Sequence, residues 1–395
     1  MLPSFKTCAG NLLKLPSLSE GDERFYVQNS NVEECNQYKD DLINLGFSLY
    51  SENFIPSADD YLDQKNVAYT LTSSERHVFL FYDVSLHTNF VVATPVGELP
   101  KKELYDDSLK FDTSITQLKL LRGGMSYAAI LGDGSFLLVD GGLYYAPDEN
   151  ELFNFLKENT KNGEKPHIRL WLITHPHLDH VELLLSFLEN HKNDVEIDAF
   201  AHQFIHCDDS VFICDIDEGL MLKSRFYEKK AASFPNAKLY FLHTGQVFYL
   251  PGAELEILST MDNSFPSLFF SCNDISVISR LKFYGGSTVM LLADAANHNC
   301  RQLARTYGKY LKSDILQLAH HGLLGGDIEL YKLIDPDICL WSVKEDVFFG
   351  TRENQKYRWC LGEGGLDFNK WIRDDSIKKR VHYHHSKTVT ISTNK

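Results

Sequence analysis

Residues 167–191 read HIRLWLITHPHLDHVELLLSFLENH, and the architecture follows from how this stretch is divided. HIRLWLIT is almost wholly apolar, which fits a strand covered on both faces. VELLLSFLENH repeats its leucines at helical spacing. The polar block THPHLDH (174–180) therefore sits on a strand-to-helix turn, where α/β sheets place their sites. In H-x-H, His175 and His177 can project to one side and bind one cation through imidazole nitrogens. Asp179 and His180 enter the helix, point elsewhere and suit a second cation nearby. Two adjacent metals suit hydrolysis. An H-x-H-x-D-H pattern arises by chance in about 2 of 1,000 chains of this composition, so a polar loop with accidental histidines is the weaker reading.

The surroundings repeat the strand-and-helix texture. SYAAIL, the turn GDG and SFLLVDGG form a hairpin that ends at Asp140. DENELFNFLKENT is a helix with acidic residues at its start. From about residue 115 onward strands alternate with helices. Residues 1–112 differ: SNVEECNQYKDDLINLGF reads as an amphipathic helix, with Ser30 and Glu33 as its capping box and Gly46 at its C-cap. NVAYTLT, RHVFLFYDV and NFVVATP follow as antiparallel strands, and GELPKKELYDDS reads as a connector. The spacing predicts a small α+β domain over 1–112, of unknown role, and a second domain over 113–395. There are no internal repeats.

The chain has 395 residues, 44% hydrophobic and 24% charged, an ordinary globular balance. No apolar run reaches the roughly 20 residues of a membrane-spanning helix, and the first residues lack a signal-peptide pattern. A cytoplasmic protein with no membrane association is expected. Its eight cysteines are scattered without a CxxC pair, as expected of reduced, mostly buried thiols. A net charge of −15 argues against a nucleic-acid polymer as partner and leaves open a small phosphorylated substrate held by metal. A homo-oligomer formed through the N-terminal domain is the remaining partner expectation.

H-x-H-x-D-H on such a turn resembles the metallo-β-lactamase superfamily of binuclear metal hydrolases. That resemblance covers roughly residues 115–395 and implies a four-layer αββα sandwich after the small α+β domain. It implies that Asp140 in FLLVDGG supports the site from behind, that Asp294 in TVMLLADAA bridges two metals, and that His321 in LQLAHHG ligates the second. The metal set is then His175, His177, Asp179, His180, Asp294 and His321, with Asp179 and His320 acting on the substrate. Alone, Asp140 fits a turn, Asp294 a cap on a helix beginning near Asn297, and His320–His321–Gly322 a turn; in this order, after the HPHLDH block, they fit a site.

LLRGGMSYAAILGDGSFLLVDGG, NDISVISRLKFYGGSTVMLLADA, LKSDILQLAHHG and KRVHYHHSKTVTIST look like the hydrolase domain of DNA-uptake channel proteins and of phosphorylcholine esterases. This implies a metal-dependent hydrolase that uses a metal-bound hydroxide on a small phosphodiester. The alternatives are a lactone or thioester hydrolase, or a binding module with a partly decayed site. Zinc, one ion or two, is the expected cofactor, and manganese and iron are compatible with the ligands. Oxygen reduction is not expected, because flavodiiron members carry glutamate where His177 stands. The chain departs from the family at one point: GAELEILSTMDNSFPS lacks the histidine that completes the first metal site. His202, His206 and His243 are candidates to replace it, His202 and His243 preferred. His382, His384 and His385 read as histidines of an edge strand. Arg122, Lys344, Arg352 and Lys356 are basic residues near the expected site loops.

Overall fold

The computed structural model describes residues 2–5, 11–15, 17, 21–58, 64–102, 112–161, 163–204, 214–264, 271–323, 325–344, 382–385 and 387–394. His206, Cys207, Arg352, Lys356 and residues 103–111, with the second half of the connector, lie outside these, as do the side chains of His382, His384 and His385.

The N-terminal strands β1 (Leu12–Leu15), β2 (Glu23–Val27), β3 (Ser48–Pro56), β4 (Lys65–Thr72), β5 (Arg76–Asp83) and β6 (Thr88–Pro95) form one antiparallel sheet in the order β1-β2-β6-β5-β4-β3. Helix α1 (Val32–Asn44) covers one face, burying Cys35, Tyr38 and Leu42 against Val67, Tyr69 and Leu80. Its capping box lies one residue later than the sequence suggests. Asn31 accepts from Glu34 N and the Glu34 carboxylate accepts from Asn31 N, while Ser30 Oγ donates to that same carboxylate. Asparagine caps as well as serine, so the two frames are hard to separate by composition.

Two larger sheets follow. The first contains β7 (Ser114–Gln117), β8 (Tyr127–Ile130), β9 (Phe136–Val139), β10 (His167–Leu172), β11 (Glu196–Ile197), β12 (Ala199–His202) and β13 (Lys238–Phe241). The second contains β14 (Val247–Leu250), β15 (Ala253–Ser259), β16 (Ile278–Phe283), β17 (Thr288–Leu291), β18 (Ile315–Gln317), β19 (Ile338–Trp341) and β20 (His382–His385). The final strand β21 (Val389–Ser392) returns to the first sheet beside β7. Each sheet is antiparallel on one side and parallel on the other, in the orders β13-β12-β10-β9-β8-β7-β21 and β14-β15-β16-β17-β18-β19-β20.

The sheets face each other across a core that includes Leu137, Leu170, Leu172, Leu255, Leu281 and Leu291. On the outside of the first lie α2 (Ala146–Glu158), α3 (Leu178–Asn190) and α4 (Ile216–Ser233). On the outside of the second lie α5 (Asn297–Tyr307) and α6 (Ile328–Ile334), against whose layer the N-terminal sheet packs Tyr26, Ala68, Phe81 and Phe90. The layers are thus α, β, β, α. Strand β10 shows why its sequence is apolar throughout: Leu170 and Leu172 face the opposing sheet, while Ile168 and Trp171 face the helices. Each such side chain contributes about 1.5–3 kcal/mol of burial. Among the described residues no helix is long and apolar enough to cross a membrane.

Candidate metal centre

The parallel strands place their following residues together at one end of the sandwich. Asp140 follows β9, the block 174–180 joins β10 to α3, Asp294 follows β17, and His320 and His321 follow β18. These loops are stitched to one another. The Gln317 side chain accepts from Ala293 N at 2.7 Å and donates to Ala293 O at 3.1 Å, and His320 N donates to the same carbonyl at 2.9 Å. Asp140, Ala293, His320 and His321 all take positive φ, at 55°, 50°, 49° and 56°. Each costs about 1–3 kcal/mol for a residue with a Cβ, and such strain gathers where function requires it. The glycine at 124 is also required: at φ +99° a Cβ there would lie 2.2 Å from the Asp179 carbonyl. Met125 N donates to that carbonyl at 3.0 Å.

Asp294 is the hub, buried with Oδ2 at 3.3 Å from His180 Nε2, 3.4 Å from His321 Nε2, 3.8 Å from His320 Nε2 and 3.9 Å from His175 Nε2. Asp179 Oδ2 lies 3.2 Å from His321 Nε2 on the more open side. His175 Nε2 and His177 Nδ1 are 3.1 Å apart. Two groups of ligating atoms therefore share this centre, one formed by His175, His180 and Asp294 and one by Asp179, His180 and His321. Asp294 does not cap α5, whose N-cap is Ala296.

The hydrogen bonds behind the rings decide which nitrogen each histidine presents. Asp140 Oδ2 lies 2.7 Å from His180 Nδ1, and the Ser342 carbonyl lies 3.0 Å from His321 Nδ1. Thr174 Oγ1 donates to Asp140 and so accepts from His175 Nδ1, at 3.1 Å. Asp215 Oδ2 lies 2.7 Å from His177 Nε2. All four imidazoles thus have the far nitrogen held by an acceptor, and the near nitrogen is left for the centre. His180 Nε2 and Asp294 Oδ1 are buried with no hydrogen-bond partner among the described residues. Orphaned buried polar atoms of this kind need an explanation, and a cation supplies one. The residues present fit a metal ion.

Electrostatics agree. Burial alone would lower His180 and His321, but Asp294, Asp140 and Asp179 hold His180 well above the usual range, and Asp294 with Asp179 pushes His321 up to about 10. Asp294 is held well below its usual range despite burial by His321, His180 and His320. His175 is pushed well down by burial and by His180. Without a cation, protons on the imidazoles therefore balance the carboxylates, and a bound cation displaces them.

Neither preferred replacement for the missing histidine reaches the centre. His202 is a core residue stacked on Phe204. Its Nδ1 accepts from Phe204 N at 3.0 Å and its Nε2 meets the Tyr227 hydroxyl at 3.3 Å, and burial pushes it down to about 3. His243 stacks on Phe79 of the N-terminal sheet, with Nδ1 bound to Asp262. Asp215 and Gln317 are the site residues that the sequence reading misses. A cavity of about 680 Å³ is lined by Arg169, Asp198 and Lys238 at the opposite ends of the strands, away from this centre.

No family model and no curated protein matches the chain. Solved structures with similar folds include CmlA, a diiron β-hydroxylase from Streptomyces venezuelae, at 14% identity and a TM-score of 0.44, covering 72% of this chain and 54% of that one. The metallo-β-lactamase fold protein YhfI from Bacillus subtilis aligns at 12% identity and a TM-score of 0.41, covering 71% and 99%. A Cronobacter sakazakii metallo-β-lactamase with a HARLDQ motif aligns at 13% and 0.30, covering 65% and 82%. The chain spans about half the length of the hydroxylase it matches. The αββα order of the layers is this chain's own, read from its two facing sheets and the helices outside them.

Proposed function

We propose that this chain is a metal-dependent hydrolase of small phosphodiesters. The observation that supports this most is the set of four imidazoles, each with its far nitrogen anchored, the near nitrogens of His175, His180 and His321 turned toward Asp294 and that of His177 facing His175. His175, His177 and Asp294 would hold one cation, and Asp179, His180, His321 and Asp294 the other. Zinc fits these ligands, as do manganese and iron. A cation held there supplies Lewis acidity and acidifies water toward a pKa of about 7. Asp179, partly exposed at the mouth, orients the attacking water through its carboxylate. His320 is held below its usual range by burial against the pull of Asp294, so it is neutral and donates from Nε2 to an oxygen of the substrate.

The diester reading over an acyl one draws on Lys344. A Cβ at Gly123 would lie 3.3 Å from Lys344 Cε, and Gly123 adjoins the glycine that touches Asp179. Lys344 has no ion-pair partner among the described residues, so its ammonium is available to an anionic group. Lys344→Ala is expected to raise KM for an anionic diester by about 10- to 100-fold, with kcat and the KM of a neutral ester nearly unchanged, as for loss of one charge-assisted bond worth roughly 1.5–3 kcal/mol. Equal effects on both substrates would exclude this role.

The whole reading is tested with bis(p-nitrophenyl) phosphate and protein loaded with zinc or manganese. Turnover that appears with metal and vanishes with a chelator is expected. Metal uptake without diester turnover would transfer the reading to acyl substrates, and no metal uptake would leave the decayed binding module.

A further inference from the structure

The start of α4 grips the ligand turn at three points. Asp215, just before the helix, accepts a hydrogen bond from His177 Nε2 at 2.7 Å. Glu218 Oε1 accepts from Leu178 N at 3.0 Å. Gly219 lies so close to Pro176 that a Cβ there would sit 3.2 Å from Pro176 Cγ. Asp215 is itself locked by the turn that follows Ser271: Oδ1 accepts from Cys272 N and Oδ2 from Ser271 Oγ, both at 2.8 Å.

An ionised carboxylate has acceptors only, so the proton between Asp215 and His177 belongs to Nε2. Nδ1 then keeps its lone pair, and Nδ1 is the atom that faces His175 Nε2. We propose that Asp215 is the positioning residue of the first cation site, fixing His177 as an Nδ1 ligand where the chain lacks a third histidine. A ring so fixed loses little freedom on binding, and a carboxylate behind it makes the imidazole more basic. The shorter ligand set is thereby offset by orientation. This rests on the two cation positions of the hydrolase reading.

Asp215→Asn separates orientation from bulk. An amide has one donor end and one acceptor end. Whichever way it turns, its NH2 meets either the Cys272 N–H or the His177 Nε2 proton, and the second conflict shifts the ring proton to Nδ1. Zinc titrated calorimetrically into the metal-free chain is expected to find two sites in the wild type. In Asp215→Asn one site should be unchanged and the other about 10- to 100-fold weaker. Unchanged affinity at both would overturn the proposal. A second readout needs no variant and no metal: long-range nitrogen–proton NMR of the imidazoles in mildly alkaline buffer should place the His177 proton on Nε2. A proton on Nδ1 would overturn the proposal even where Asp215→Asn fails to fold. A wild type that takes up no zinc would overturn the hydrolase reading instead, and the NMR result would still decide the role of Asp215.

Discussion

Replacing Asp294 with asparagine is expected to abolish metal-dependent hydrolysis, lowering kcat/KM by about 10³-fold or more, on the order of 4 kcal/mol. The carboxylate oxygen Oδ2 stands within 3.9 Å of four imidazole nitrogens. Asparagine keeps the volume and removes the charge, so it separates ligation from packing. It does not uncap a helix, because α5 begins at Asn297 behind Ala296. In the metal-free protein His180 and His321 lose the carboxylate that raises them most, while Asp179 still faces both and Asp140 still faces His180. Zinc stoichiometry should fall, and the chelator should no longer lower the melting temperature. In the wild type a ligand at 100 times its Kd adds about 2.7 kcal/mol to the folded state. Turnover within tenfold of wild type, with the metal retained, would mean that the chemistry runs elsewhere.

The parts of this centre that the sequence reveals are those carried by one strand and its own exit. HIRLWLIT announces a doubly covered strand, and everything from His175 to His180 is then bound to lie at its end. Asp140, Asp294 and His321 are legible for the same reason: each closes an apolar run in a parallel strand. What stays hidden depends on contacts between distant segments. Asp215 grips His177 across 38 residues, and no periodicity marks it. Gln317 looks like an ordinary strand residue until Ala293 is found against it. His202 and His243 show the opposite failure. Both stand at strand ends, as ligands do, yet one is enclosed by aromatic rings and the other belongs to a buried charge network. Residue type and strand end select candidates, and only the neighbours distinguish a ligand from a satisfied core histidine.

That charge network carries the largest expected effect on stability. Asp262, in the turn after β15, is buried together with Arg24 of the N-terminal sheet. It also takes hydrogen bonds from His243 Nδ1 at 2.6 Å and from the Gln203 amide at 2.9 Å. Arg24 retains a second partner in Asp22, at 2.6 Å. Asp262→Ala would leave a buried guanidinium half-compensated and two donors with no acceptor, at the place where the N-terminal sheet meets the sandwich. Breaking such a pair from one side costs about 3–5 kcal/mol, although replacing a whole network by apolar groups can be neutral. The expected result is a lower urea midpoint in the variant. Despite burial, His243 and Arg24 hold the Asp262 carboxyl down to about 2, from an ordinary value of 3.8. A depressed carboxylate stabilises the fold above its unfolded pKa, and that contribution is lost as pH falls through the folded value. The stability gap between wild type and Asp262→Ala should therefore be full at neutral pH and should close between pH 3.8 and about 2. A gap that persists unchanged through this window would assign the loss to packing around the deleted side chain and not to its charge.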